Sequence, residues 1–83
     1  MPSEAEIYSD LRRIFRDVFL RDDLTPTANM TSRDVRGWDS SRHIEILMAC
    51  EQRWNIGFTS REIDDLSSVG DLVRSIARKT ARG

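Results

Sequence analysis

A serine that follows a glycine and an acidic residue is the feature of this sequence best suited to chemistry. The segment Gly37-Trp38-Asp39-Ser40-Ser41 stands directly before a run of apolar residues at helical spacing. A helix start leaves backbone N–H groups without partners and carries partial positive charge, so it stabilises a phosphate attached there. Because a serine at such a place is a poor core residue, we interpret Ser40 as an attachment point for a charged group.

Length and composition limit what the rest of the chain can be. Its 83 residues predict a single domain over residues 1–83, with a core that buries roughly 60% of the unfolded surface. A formal net charge of −1 argues against nucleic acid as the main partner, which favours a basic face. No stretch approaches the roughly 20 apolar residues of a membrane span, and Met1 begins no signal-like run, so we expect a cytoplasmic chain. The single cysteine, Cys50, excludes an internal disulfide and is expected to be a small buried residue.

Two elements must bring the chain to the serine. The first is a helix over residues 4–20, capped by Ser3, whose apolar residues share one face: Ile7, Leu11, Ile14, Phe15 and Val18. The second is a long loop over residues 21–38, which has no sustained period and contains several turn formers. We expect three apolar residues to anchor this loop: Leu24, Met30 and Val35.

Three helices are predicted after the loop. Residues 40–54 form the second helix, and we expect its inward stripe to comprise Ile44, Leu47, Met48 and Trp54, with Ile46 and Cys50 at its borders. Thr59 and Glu62 match the capping-box pattern and start a short helix, and Ser68 caps the last one. No segment has the period-2 pattern of a strand, so the predicted fold is an all-α bundle with three longer helices and one short helix. The last few residues are expected to fray.

These residues together resemble the acyl carrier protein family. The family motif is an Asp-Ser-Leu segment after a glycine, followed by an apolar-acidic-apolar triplet; here the matching residues are Gly37, Asp39-Ser40 and Ile44-Glu45-Ile46. The resemblance continues in Trp54-Asn55-Ile56-Gly57-Phe58 and in the entry to the last helix, residues 66–72. The order of elements also agrees, so the resemblance covers most of the chain and implies an acyl-carrier-like four-helix bundle.

The resemblance implies a carrier function without catalysis. In that family the motif serine holds a 4′-phosphopantetheine arm, which a separate phosphopantetheinyl transferase supplies from coenzyme A. The thiol of the arm carries an acyl or aminoacyl group as a thioester between a loading ligase and downstream transferases or synthases. By this resemblance Ser40 carries the arm, while Trp38, Asp39 and Ser41 flank it. The implied protein is a cytoplasmic monomer that binds neither nucleic acid nor membrane.

Two departures from the family pattern bear on the site and its partners. Ser41 replaces the motif leucine, and we favour Ser40 for attachment because it directly follows Asp39. The second helix of the family is often strongly acidic, whereas basic residues are interleaved with acidic ones here. We therefore expect a dedicated partner set, in secondary metabolism or a specialised lipid pathway. The expected docking residues are Arg42, His43, Glu45 and Ile46, and Arg53 is expected to join Arg42 in setting partner choice.

Some of the same residues could also serve in catalysis, metal binding or packing. Asp39, Ser40 and His43 lie within one helical turn and lack a separate orienting scaffold, which disfavours a hydrolytic triad. One histidine and one cysteine are too few for an ordinary metal site. Trp38 either contacts the arm or a partner, or packs the loop against the bundle. The arginines of the first helix, Arg12, Arg13 and Arg16, are interpreted as a solvated face.

Two functional alternatives stay open. The first is a small helical adaptor that shares the fold but lacks the arm. The second is a DNA-binding domain that uses the arginines of the first helix as phosphate contacts, which the near-neutral charge disfavours. Within the carrier interpretation the cargo is open among fatty acyl, polyketide, aminoacyl and hydroxyacyl groups, since a thioester holds all of them.

Overall fold

The computed structural model describes residues 2–81, and the regular secondary structure over that range is entirely α-helical. Its four helices are α1 (Glu4–Phe19), α2 (Ser40–Trp54), α3 (Ser60–Asp65) and α4 (Val69–Thr80). The predicted all-α bundle, with three longer helices, one short helix and a long connection before the second, is therefore confirmed. The expected fraying concerns the last residues, and positions 82 and 83 lie outside the described range. No helix between residues 2 and 81 combines the length and apolar character needed to cross a membrane.

Local capping explains where the helices begin and end. Ser3 and Thr59 form capping boxes with Glu6 and Glu62, and Ser68 accepts a hydrogen bond from the backbone N–H of Asp71 at the start of α4. Leu20 and Asn55 end α1 and α2 in the left-handed conformation. The predicted helix starts are confirmed, and the first helix ends one residue earlier than expected.

A single apolar cluster joins the three longer helices and the loop. Helix α1 packs against both α2 and α4. Burial of these side chains is the main favourable term for a chain of this size. The buried apolar residues are Ile7, Leu11 and Phe15 of α1, Ile46, Leu47 and Cys50 of α2, Val69, Leu72, Val73 and Ile76 of α4, and Leu24 and Val35 of the loop.

Hydrogen bonds tie the long loop to the bundle at both ends. The side chain of Arg16 donates from Nε to the Leu24 carbonyl oxygen at 3.0 Å, so this arginine is not part of a solvated face. At the other end, the N–H groups of Val69 and Gly70 donate to the carbonyl oxygens of Met30 and Ala28, each at 2.9 Å. The expected anchors are confirmed as well, since Leu24 and Val35 are buried and Met30 packs against the core. The loop thus has a fixed path toward α2.

The outward face of α2 differs from the expectation. Ile44 and Met48 are 44% and 54% exposed, while Ile46 and Cys50, expected at the borders of the stripe, have no exposed surface. The helix is therefore rotated about its axis from the predicted orientation. Two apolar side chains are left on the surface of the helix that begins with Ser40.

Candidate functional site

The backbone makes a turn at Gly37, directly before Asp39 and the first residue of α2, Ser40. Gly37 adopts φ +88°, and a side chain there would meet open space, so the glycine is required by the backbone conformation and not by crowding. The N–H of Trp38 donates to the Val35 carbonyl oxygen at 3.2 Å, and the N–H of Asp39 donates to that of Gly37 at 3.0 Å. This turn ends the loop and sets the direction of the helix.

Asp39 is the N-cap of α2, and Ser40 is its first helical residue. The carboxylate Oδ1 of Asp39 accepts from the backbone N–H of Arg42 at 2.9 Å, and its carbonyl accepts from the N–H of His43 at the same distance. Within residues 2–81, the N–H groups of Ser40 and Ser41 have no acceptor. Both serines are exposed. The first turn therefore presents a hydroxyl beside two unused backbone donors, which suit an anionic group attached to that hydroxyl.

Trp38 packs between α1 and the start of α2. Its ring lies edge-on to Phe15, with centroids 5.3 Å apart, and tilted against Phe19 at 5.9 Å. Its indole Nε1–H donates to Nδ1 of His43 at 3.3 Å. Of the two roles left open for Trp38, packing of the loop against the bundle is the one that these contacts support; the half-buried ring also lines the groove described below.

His43 is half-buried, and burial lowers the pKa of its imidazole below the ordinary histidine value. Its Nδ1 accepts the hydrogen bond of an indole and contacts no carboxylate. A hydrolytic triad needs a carboxylate at that nitrogen, so the arrangement of Asp39, Ser40 and His43 is not that of a triad.

A groove of about 830 Å³ opens beside Ser40, between the loop, α2, α3 and the start of α4. Polar and charged residues lie among its lining on the loop and on α3, while apolar side chains come from α2, α3 and α4. Sequence reasoning did not predict the groove, because the loop and α3 are far apart in the chain and meet only in the fold. Its lining residues are Thr31, Ser32, Arg33, Trp38, Asp39, Ser40, His43, Ile44, Ile46, Ile63, Asp64, Leu66, Ser67, Ser68, Val69 and Leu72.

Comparison with known proteins decides the family. No protein-family model matches the chain, and neither does any curated protein. The solution NMR structure of a holo acyl carrier protein from Geobacter metallireducens is similar over 99% of this chain and 90% of that one, with a TM-score of 0.85 and 33% sequence identity. This chain belongs to the acyl carrier protein family.

The docking residues predicted for this acyl carrier protein occupy different environments. Arg42 and Glu45 are exposed and form an ion pair with each other at 3.1 Å, and His43 is half-buried against Trp38. Ile46 is fully buried in the core, so its expected place on a docking surface is wrong. The apolar residues exposed on this helix of the carrier are Ile44 and Met48.

Arg53 has a structural role in the carrier. Its guanidinium pairs with the Asp10 carboxylate of α1 at 2.9 Å and lies 5.7 Å from the ring centre of Trp54. The expectation that Arg53 sets partner choice is therefore weakened, because its charge already joins α1 to α2. The signal for this pair was not visible in the sequence, since the two residues are distant along the chain.

The single thiol of the chain lies inside the bundle. Cys50 has no exposed surface, and burial, aided by the charge of Glu51, raises the pKa of its thiol to about 12. The carrier's own cysteine is therefore unreactive in the folded state. Between residues 2 and 81, no three His, Cys, Asp or Glu side chains are grouped so as to hold a metal ion.

Proposed function

We propose that this acyl carrier protein is modified at Ser40 by a 4′-phosphopantetheine arm. The observation that carries the proposal is the exposed Ser40 hydroxyl at the first position of α2, beside two unused backbone N–H groups and at the edge of the groove. In the transfer, a bond forms between the serine oxygen and the phosphorus of coenzyme A that bears pantetheine, while the phosphoanhydride bond from that phosphorus to the adenosine part breaks. The adenosine bisphosphate leaves, and the hydroxyl proton passes to the transferase or to solvent.

The residues around Ser40 fit a phosphodiester. Asp39 uses its carboxylate to hold the first turn of α2, leaving the N–H groups of Ser40 and Ser41 for the phosphate oxygens. Arg33, from the loop, supplies a cation to the lining of the same groove. A charge at an exposed helix start gains roughly 0.3–1 kcal/mol from the helix dipole. When bound, the arm supplies a thiol that holds an acyl or aminoacyl group as a thioester.

The groove supplies a place for the arm and a short cargo. Its apolar lining includes Leu66, Val69 and Leu72, from the end of α3 and from α4. An apolar chain placed against these side chains loses contact with water, at roughly 25 cal/mol for each Å² buried. We propose that the groove shelters the cargo between transfers, and that the chain itself remains a carrier and not a catalyst.

Partner enzymes are proposed to dock on the outer face of α2. The proposed docking residues are Arg42, His43 and Glu45, with Ile44 and Met48 as the apolar contacts in place of the buried Ile46. A patch with paired charges around two exposed apolar side chains differs from the strongly acidic helix common in the family, which supports a dedicated partner set. The pathway is proposed to be cytoplasmic. Those partners comprise the phosphopantetheinyl transferase, a loading ligase and the enzymes that receive the cargo.

A matched pair of apolar substitutions tests the docking face. We expect Ile44→Asn to lower kcat/KM for arm attachment by a phosphopantetheinyl transferase, because Ile44 is 44% exposed beside Ser40. Leu20→Asn is the control, since Leu20 is 86% exposed at the end of α1. Equal loss in both variants, or none in Ile44→Asn, contradicts docking on α2.

Thiol titration tests the arm itself. Cys50 is buried, so the folded chain without an arm should show no fast-reacting thiol toward dithiobis(nitrobenzoate). After incubation with coenzyme A and a transferase, we expect one fast thiol per chain, and a second only after denaturation. The Cys50→Ala variant should keep the fast thiol. A treated, folded chain without a fast thiol contradicts the proposal and favours an adaptor without the arm.

A further inference from the structure

We propose that His43 donates a hydrogen bond from Nε2–H to the phosphodiester of the arm, and that Trp38 fixes the imidazole for this contact. The inference rests on the proposed attachment at Ser40. It adds His43 as a contact to the phosphodiester and Trp38 as the residue that positions His43. It follows from three features of the structure: the proton position on the imidazole, the place of the ring relative to Ser40, and the charges around the groove.

The hydrogen bond from Trp38 determines which imidazole nitrogen carries the proton. An indole N–H is only a donor, so Nδ1 of His43, which accepts it at 3.3 Å, must present its lone pair. The neutral ring then carries its proton on Nε2. The two rings are also stacked at 29°, with centroids 6.1 Å apart, and Trp38 is in turn fixed by Phe15 and Phe19. The imidazole therefore has a defined tautomer and a restrained orientation.

The free donor of His43 lies on the same side of α2 as Ser40. Residues three apart on a helix are neighbours, with Cβ atoms about 5–6 Å apart, and both side chains line the groove. Within residues 2–81, Nε2 has no hydrogen-bond partner, and no polar side-chain atom is buried without one. Nε2–H is therefore open to solvent, one helical turn from the hydroxyl that would carry the phosphate.

The surroundings of the imidazole favour a neutral donor that responds to an added anion. Asp39, Asp64 and Arg33 are the charged residues among the groove lining, while α4 contributes no charged residue to it. Desolvation lowers the pKa of His43, so the ring is neutral near pH 7 and keeps the tautomer set by Trp38. A phosphodiester beside Nε2 favours the charged imidazolium and must shift this titration upward.

Nuclear magnetic resonance of the single histidine tests the inference without any measurement of activity. The imidazole is followed by pH titration in the chain before and after transferase treatment, together with the phosphorus-31 resonance of the arm. We expect the untreated chain to show the Nε2–H tautomer and a depressed midpoint. The modified chain should titrate at higher pH, and the phosphorus resonance should follow the same midpoint.

Variants separate donation from packing. His43→Gln keeps a side-chain N–H donor and should hold the phosphorus resonance near its wild-type position, whereas His43→Phe keeps a ring and should shift it. Trp38→Phe removes the indole donor and should return the untreated His43 to a mixture of tautomers. Equal phosphorus shifts in both His43 variants would indicate packing alone and overturn the inference.

The failures of the two proposals are distinguishable. No gain of mass on transferase treatment overturns the attachment and this contact together. If the arm is attached but the midpoint of the His43 pH titration is unchanged, and the phosphorus resonance does not shift with that titration, the His43 contact alone is overturned.

Discussion

Removal of the Asp39 side chain should loosen the first turn of α2 by a predictable amount. The carboxylate accepts from the Arg42 N–H at 2.9 Å, and loss of such a cap costs about 1 kcal/mol, within a range of about 0.5–2 kcal/mol. Asp39→Asn keeps an acceptor but loses the attraction of the charge to the helix start, roughly 0.3–1 kcal/mol. We therefore expect the free energy of unfolding to fall in the order wild type, Asp39→Asn, Asp39→Ala.

Urea denaturation followed by circular dichroism measures this order. For a chain of this size the free energy of unfolding falls by about 1 kcal/mol for each molar of urea, so Asp39→Ala should lower the urea midpoint of unfolding by about 1 M. Asp22→Ala is the matched control, because Asp22 is an exposed acid in the turn after α1 and has no hydrogen bond within residues 2–81. An Asp39→Ala midpoint equal to that of the wild type or of the control would refute the assignment of Asp39 as the cap.

Three further predictions concern the rest of the scaffold. The Lys79 ammonium lies 2.7 Å from Glu62 and, with the backbone at the start of α3, lowers the pKa of that carboxyl to about 2. The pair should thus stabilise the fold above about pH 4.5 and lose this effect as the pH falls toward 2, so the stability gap to Glu62→Gln should close in acid; a pH-independent gap would contradict this. Gly70→Ala should destabilise the fold by about 1–3 kcal/mol, because its Cβ would lie 3.0 Å from a loop carbonyl oxygen. The control Gly57→Ala meets only a side-chain oxygen at 4.0 Å, and equal midpoints in the two variants would count against the close approach. Leu20→Gly should raise the free energy of unfolding by up to about 1 kcal/mol, because Leu20 has φ 55° and is 86% exposed. The unfolding temperature should therefore rise slightly, and a lower one would contradict this.

Local rules predicted the helices well because the signals for them are local. Ser3, Thr59 and Ser68 cap the helices that they were expected to cap, and the second helix begins at Ser40 as predicted. These features depend on hydrogen bonds between residues three apart, which the sequence displays directly.

The orientation of α2 could not be predicted in the same way. Apolar residues occupy more than one face of this helix, so spacing alone does not decide whether Ile44 or Ile46 is buried. That choice depends on where α1 and α4 lie, and packing places Ile46 in the core. The same reason explains why Ile44 replaces Ile46 in the proposed docking surface.

Contacts across the fold were also beyond sequence reasoning. Arg16 donates a hydrogen bond to the loop at Leu24, and Arg53 pairs with Asp10. Nothing in the sequence around either arginine distinguishes it from an arginine that is exposed to solvent. The hydrogen bond between Trp38 and His43 spans five residues and depends on the turn at Gly37. The motif could locate the serine, whereas only the fold shows the groove and the imidazole beside it.

The mass of the intact chain after incubation with coenzyme A and a broad-specificity phosphopantetheinyl transferase tests the attachment at Ser40 most directly. Wild-type chain and Ser41→Ala should each gain the mass of one phosphopantetheine, and Ser40→Ala should gain nothing. An unchanged wild-type mass, or a gain that persists in Ser40→Ala, would contradict the account.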